Sequence, residues 1–294
     1  MHYIHQSHNE KPFIIAITLN LAYVIFETYQ GIYNNSSALL ADAGHNFSDI
    51  LALLISGLAV LLYKIKPNRK FTYGLKKATV LASLFNAILL YAALGIIIIE
   101  SFKKLLHPSN INSNPIIFVA LLGIIINLLS ALLFQKSSKH DINSKALFWH
   151  LLSDALISLG VVATGIIIKL SHWFWLDGLT GIIISLIIVK YTWKLLTSSL
   201  FLSLDAVPQN IDLDEIKKYL LSVPNVQDVH HIHIWPISTT DYALTAHIIV
   251  NPDLCMPEIE QIKTQLKSQM AKLNLLHCTF EFEMLGKPCP ECNI

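Results

Sequence analysis

The chain has 294 residues, of which 53% are hydrophobic and 14% charged, and a mean hydropathy of +0.53, which excludes an ordinary soluble domain and points to a polytopic membrane protein. A formal net charge of +1, with no basic stripe interleaved with aromatics, excludes nucleic acid as a partner. Charges are sparse over 12–200 and dense afterwards, so a membrane domain is expected ahead of a soluble one.

Residues 1–12 are expected to form a polar tail, in which His2, His5 and His8 fit either metal sampling or a plain polar segment. It runs into an apolar stretch without a small-residue cleavage pattern, so the first span is expected to stay. Apolar runs of about 20 residues, enough for a helix to cross some 30 Å of hydrocarbon, fall approximately at 13–33, 38–62, 78–100, 115–134, 146–168 and 176–193. Six transmembrane helices over 13–204 are therefore expected. Lys64, Lys66, Arg69, Lys70, Lys76 and Lys77 lie between the second and third spans, and Lys136, Lys139 and Lys145 between the fourth and fifth. The loops on the other side carry only Lys103, Lys104 and Lys169, so the positive-inside rule puts both termini in the cytoplasm.

One pattern occurs twice inside these spans. His45 to Asp49 and His150 to Asp154 both read His-x-x-Ser-Asp. Four residues is just over one helical turn, so each His shares a face with its Asp, with Cβ atoms about 5–6 Å apart. The fifth helix comes three spans after the second, so the two run in opposite directions, as in the inverted repeats of transporters. At a rise of about 1.5 Å per residue both pairs lie roughly 15 Å deep, from opposite surfaces. Antiparallel helices would thus bring His45, Asp49, His150 and Asp154 together near the midplane, a four-ligand set suited to tetrahedral zinc. The bland reading of one such pair is a local hydrogen bond; two matched pairs at compatible depths favour metal. Ser48 and Ser153 read as packing residues. Glu27 admits two readings, a proton-accepting or ion-path group or a carboxylate that snorkels or pairs near the outer interface. Asn20, Asn86 and Asn127 read as interhelical hydrogen-bonding groups. Gly31, Gly44, Gly57, Gly95 and Gly123 fit either close helix approach or bending, or the ordinary glycine content of membrane helices.

After Leu204 the composition turns soluble. Residues 212–221 read as a helix, 226–235 and Tyr242–Val250 as strands, 257–273 as an amphipathic helix and 278–284 as a third strand. The order αββαβ over 205–286 is similar to a small ferredoxin-like domain, small enough that pairing with a second copy is expected. His230, His231, His233, His247, His277, Glu281 and Glu283 offer metal ligands there, and a zinc site including His230, His247 and Glu283 is weighed against ordinary surface and core histidines. Strict period two puts His231 and His233 on one face and His230 on the other. In the tail, 287–294, Cys289 and Cys292 form a C-x-x-C that in a reducing cytoplasm reads as a thiolate ligand pair rather than a disulfide; Cys255 and Cys278 stand alone.

The run from Ser37 to His45 with Asp49 beyond it, Tyr73-Gly74-Leu75-Lys76-Lys77 before the third span, the His150 and Asp154 pair and the His-bearing soluble domain together resemble the cation diffusion facilitator family, in its zinc-transporting branch. The resemblance covers almost the whole chain. It implies a homodimeric antiporter that exports zinc in exchange for protons, with His45, Asp49, His150 and Asp154 as transport site. The paired His-Asp form is similar to zinc-preferring members, whereas Asp in place of His goes with ions such as manganese. It further implies that Lys77 and Asp205 form a charge pair interlocking the membrane domains, and that His230, His247, Glu283 and, less closely, His277 sit at cytoplasmic zinc sites. The long His-rich loop of many eukaryotic members is absent and only His140 remains there, which favours a bacterial inner-membrane protein. Residues 64–77 lack the Asp and His of an extra site in some relatives, so none is expected there.

Two rivals remain at this stage. An intramembrane zinc hydrolase would want three ligands, an open position and a general base, and no H-E-x-x-H occurs. A membrane zinc sensor would bind metal at the same four residues without moving it.

Overall fold

A computed structural model describes residues 10–135 and 142–286. The expectations for His2, His5, His8, His140, Cys289 and Cys292 fall outside the described residues. Six long helices come first: α1 (Glu10–Tyr33), α2 (Ser37–Tyr63), α3 (Ala78–Leu106), α4 (Ser113–Gln135), α5 (Ile142–Ser171) and α6 (Trp175–Ser203). Among the described residues, α3 to α6 each hold a stretch long and apolar enough to cross a membrane; α1 and α2, at 24 and 27 residues, are as long as a span requires. The chain divides into two compact units, one of residues 1–54 and 86–193, the other of 55–85 and 194–294. The end expected for the last span, 193, is the edge of the first unit, while helix α6 itself continues to Ser203.

In the first unit, Tyr23, Leu39, Leu94, Ile116, Val161 and Ile188 belong to a single buried core drawn from all six helices. The polar groups at the start of α2 are satisfied from another helix. Ser36 caps α2 by accepting from Leu39 N at 3.3 Å and donates to Asp177 Oδ1 at 2.5 Å, while Asp177 also accepts from the backbone N–H groups of Ser37 at 2.5 Å and Ala38 at 3.2 Å. A carboxylate at a helix N-terminus takes up donors that would otherwise be orphaned and meets the positive end of the dipole. Gly178, the next residue, lets α3 approach, since a Cβ there would stand 2.6 Å from the Ser101 carbonyl oxygen. Asn20 donates to Ser130 on α4 at 3.1 Å, the interhelical bond expected of it. The Asn127 amide, by contrast, is buried without a hydrogen-bond partner among the described residues.

In the second unit, α7 (Leu213–Leu221), β1 (Val226–Pro236), β2 (Tyr242–Val250), α8 (Met256–Ala271) and β3 (Leu275–Met284) follow the expected αββαβ order. Asp212 caps α7 by accepting from Asp214 N, and Glu258 closes a capping box onto Cys255 N at 2.8 Å at the start of α8. The sheet order is β1-β2-β3, with β1 and β2 antiparallel and β2 and β3 parallel across the α8 crossover. Leu244, Ala246, Ile248 and Val250 of β2 pack with Ile216, Leu220, Ile262, Leu266 and Met270 of the two helices. Period two therefore turns Thr245, His247 and Ile249 to the sheet face away from the helices.

Strict alternation fails on β1. His230 pairs with His247 and His233 with Thr245, so β1 carries one extra residue there, and His231 takes φ +53°. This is a β-bulge. As a result His230 and His231 both pack against the His247 ring, at 5.2 and 4.9 Å between centroids, and the assignment of His230 to the face opposite His231 is corrected.

The turn between β1 and β2 is held to the ends of α2 and α3 within the same unit. Asp241 accepts from Tyr63 Oη at 2.6 Å and Lys76 Nζ at 2.8 Å, and Thr239 N donates to Thr79 Oγ1 at 3.1 Å. Lys77 Nζ pairs with Asp205 and donates to the Pro236 carbonyl at 3.1 Å. Burial opposes ionisation of Asp241, but the hydrogen bonds from Lys76 and Tyr63 outweigh it and hold the carboxyl below its ordinary value. Asp241→Ala should therefore cost about 1–3 kcal/mol, the range for a charge-assisted bond whose partners are left unpaired, read as a lower unfolding midpoint of the purified protein. Because the folded carboxyl is the stronger acid, its contribution is complete above about pH 4 and lost as pH falls further. The gap between parent and variant should close in that acidic range and be unchanged from neutral to mildly alkaline pH.

Candidate metal centre

Helices α2 and α5 meet along one antiparallel seam, and each contact follows from helical spacing. Ser158 donates to Asp42 Oδ2 at 2.6 Å; about one turn on, His45 Nε2 lies 3.3 Å from Asp154 Oδ1; one turn further, His150 Nε2 lies 3.1 Å from Asp49 Oδ2. As the number rises on α2 it falls on α5, the opposed directions expected of an inverted repeat. Within each helix the i, i+4 pairs stand 3.7 Å apart, His45 Nε2 to Asp49 Oδ2 and His150 Nε2 to Asp154 Oδ2. The two imidazole rings are 5.8 Å apart and nearly perpendicular.

One donor atom from each of the four residues lies within 4.8 Å of all the others. The nitrogen-to-oxygen separations of 3.1 to 3.7 Å bracket the roughly 3.3 Å edge of a tetrahedron with bonds of about 2 Å, the lengths zinc makes to imidazole and carboxylate. Among the described residues, Asp154 Oδ1 is fully buried without a hydrogen-bond partner, as a carboxylate oxygen reserved for a cation would be. Exposure is graded across the group: the side chains of Asp154 and His45 are 4% and 12% exposed, those of Asp49 and His150 36% and 40%. The open edge is the one toward the C-terminal end of α2 and the N-terminal end of α5. Ser153 is exposed and donates to its own helix at Trp149 O, 2.9 Å away.

Beside this group, in the same unit, lies a polar cluster of which only Glu27 was singled out from the sequence. Glu27 and Asp42 are both fully buried. Tyr23 Oη donates to Glu27 Oε1 at 2.7 Å, and the Asn46 amide reaches Glu27 Oε2 at 3.3 Å and Asp42 Oδ1 at 3.5 Å. Of the two readings of Glu27, the structure excludes snorkelling: the carboxylate points into the helix bundle. The signal for Asp42 was present, since residues 42, 45, 46 and 49 share a helical face, as do 154 and 158.

On the sheet, His247 Nδ1 and Glu283 Oε1 are 2.6 Å apart, His230 Nε2 lies 3.5 Å from Glu283 Oε2, and Glu281 stands 3.6 Å from His247 Nε2. His230, His247 and Glu283 thus form a second group able to hold a metal, with the His230 Nε2 atom buried and unbonded. The bulge makes this possible by aligning His230 with His247. His277 is elsewhere: it faces Ala243 across the sheet, and its ring packs edge-on against Tyr73 at 5.1 Å. Burial pushes the Cys278 thiol up to about 11, against the pull of Lys267, so it stays protonated near neutral pH and is a poor metal ligand there.

Residues 13–202 match the cation efflux transmembrane domain, and residues 208–280 match the cytoplasmic domain of cation efflux proteins. The chain is 35% identical to the metal cation efflux system protein CzcD of Cupriavidus metallidurans, over 98% of this chain and 90% of that one. It is 28% identical to a cadmium, cobalt and zinc/H(+)-K(+) antiporter of Bacillus subtilis, over 94% and 89%, and 29% identical to the zinc transporter ZitB of Escherichia coli, over 98% and 92%. Two domain matches in sequence order, spanning the six helices and the sheet, with a relative at 35% identity along nearly the full length, make this integral membrane chain a member of the cation efflux family, the cation diffusion facilitators.

Proposed function

We propose that the protein exports zinc from the cytoplasm in exchange for protons, through a transport site made of His45, Asp49, His150 and Asp154. The observation that carries this reading is the meeting of four donors from two antiparallel helices at tetrahedral spacing, with one buried carboxylate oxygen left unbonded. The ligand set argues for zinc: two imidazoles and two carboxylates in a tetrahedral arrangement suit it better than octahedral, all-oxygen ions. The names of the Escherichia coli and Bacillus subtilis relatives support zinc and proton exchange respectively.

Exchange follows from the ligands. An imidazole must be neutral to bind a metal, and its ordinary pKa is about 6.5, so cation and proton exclude each other at His45 and His150. With both termini cytoplasmic, the more exposed Asp49 and His150 edge faces the cytoplasm and is where the cation enters. Proton binding after the site turns outward releases it. Two carboxylates in place of thiolates keep the site loose enough to unload. The working unit is a homodimer in a bacterial plasma membrane, with Lys77 and Asp205 near the interlock. Zinc at His230, His247 and Glu283 shifts the conformational balance toward transport as cytoplasmic zinc rises, with Cys289 and Cys292 of the tail as a separate thiolate pair.

The decisive measurement is zinc uptake into proteoliposomes with an acidic lumen and neutral exterior. The parent chain should take up zinc in proportion to the proton gradient, while Asp49→Ala and Asp154→Ala should lose uptake and bind zinc more than about 100-fold more weakly at this site, beyond the 10–100-fold that outer-shell changes cost. Binding with no gradient-driven uptake would instead identify a zinc sensor. Affinity should also fall as the pH is lowered, by about tenfold per pH unit for each proton that the cation displaces; a flat titration from pH 7 to pH 5 would remove the imidazoles from the site. For the sheet, His230→Ala combined with His247→Ala should abolish the dependence of transport rate on cytoplasmic zinc while leaving a basal rate, and an unaltered dependence would end the regulatory reading.

A further inference from the structure

We infer that Glu27 and Asp42 form a separate proton-holding pair that gives up its proton when the cation binds one helical turn away. Both carboxylates are completely buried within the membrane unit. Their hydrogen bonds come from neutral donors: Tyr23 Oη to Glu27 at 2.7 Å, Ser158 Oγ to Asp42 at 2.6 Å, and the Asn46 amide to both. Two adjacent carboxylates in such a place cannot both be ionised without a cation against them, so the pair shares one proton.

The titratable groups facing the pair are Tyr23 from α1, His45 from α2 and Asp154 from α5, and the Val119 carbonyl of α4 lies 3.3 Å from the Tyr23 hydroxyl. Asp42 precedes His45 by about one turn on α2, and its partner Ser158 follows Asp154 by one turn on α5. A divalent cation held by His45 and Asp154 is thus close enough to favour ionisation of the pair, and the proton leaves to water. The proton can return only when the cation has gone. Unlike a proton on an imidazole, it occupies no ligand atom.

The inference rests on the cation reading of the four-residue site, and the test separates the two. Zinc is titrated into the purified full-length protein in weakly buffered solution and the released protons are counted with a pH indicator. Glu27→Gln, isosteric with the protonated acid, should bind zinc and release roughly one proton fewer than the parent. Equal release from parent and variant would overturn the pair, provided His45→Ala reduces release. If His45→Ala leaves release unaltered, it is the site reading that fails. Infrared difference spectra cover the case in which Glu27→Gln does not fold. The parent should lose a protonated-carboxyl C=O band on zinc binding, and that band should shift in Tyr23→Phe, which removes the phenol donated to Glu27. A band that Tyr23→Phe leaves in place, or the absence of any such band, would also overturn the proposal.

Discussion

Ionisable groups inside a hydrocarbon layer must find one another, and in this chain they do so across the antiparallel seam of α2 and α5. Asp42 with Ser158, His45 with Asp154 and Asp49 with His150 succeed one another at single-turn intervals. None of these side chains could be stranded alone at that depth without a cost of several kcal/mol. The seam therefore fixes direction, register and rotation of the two helices at once. A slip of one turn would leave a histidine or an aspartate facing lipid or an apolar neighbour. The proposed cation site and the pairing of the two helices are one and the same set of interactions.

The same demand shapes the ends of the structure. The donors at the start of α2 are met by Asp177, which the chain brings back from α6, and Lys104 of α3 reaches the Asn35 carbonyl at 2.7 Å beside it. Three helices are thereby tied at one end by polar contacts, with Gly178 giving the backbones room to close. In the second unit the Asp241 turn binds the ends of α2 and α3, and the same strand β2 carries His247 a few residues on. Strand β2 thus runs from the Asp241 turn, with its contacts to the two helices, to His247 of the group formed with His230 and Glu283.

Much of this was legible because it depends on spacing. The four-residue interval within each His-Asp pair and the odd offset of three spans between them were enough to place four donors together, and alternation with helical periodicity recovered the αββαβ order. What escaped depends on partners distant in sequence or on a single irregular residue. Among the described residues the Asp177 carboxylate has no hydrogen-bond partner in its own segment, and its role appears only with α2 beside it. Asp42 lies within the run from Ser37 to His45, but its burial depends on Glu27 and Ser158 on other helices. The bulge at His231 could not be read from strand periodicity, since one residue in the left-handed region reverses the face of those around it. The contact of His277 with Tyr73 likewise needed two segments far apart in the chain.

Charge conservation in the low-dielectric pocket explains why a transport site would keep carboxylates that are not ligands. Asp49, Asp154, Glu27 and Asp42 supply acidic groups, and His45 and His150 supply bases. What the surrounding medium resists is a change in the total charge of the pocket, whichever member carries it. Replacing two protons by one divalent cation leaves that total unchanged. If both protons sat on the imidazoles, the site would have to be fully stripped before any coordination began, passing through a poorly compensated state. A proton held by Glu27 and Asp42 allows the cation to gain its first ligands while the pocket is still partly neutralised, and leaves as coordination completes. Loading and unloading then proceed through states of similar charge, which keeps the barrier between them low enough for a carrier to cycle.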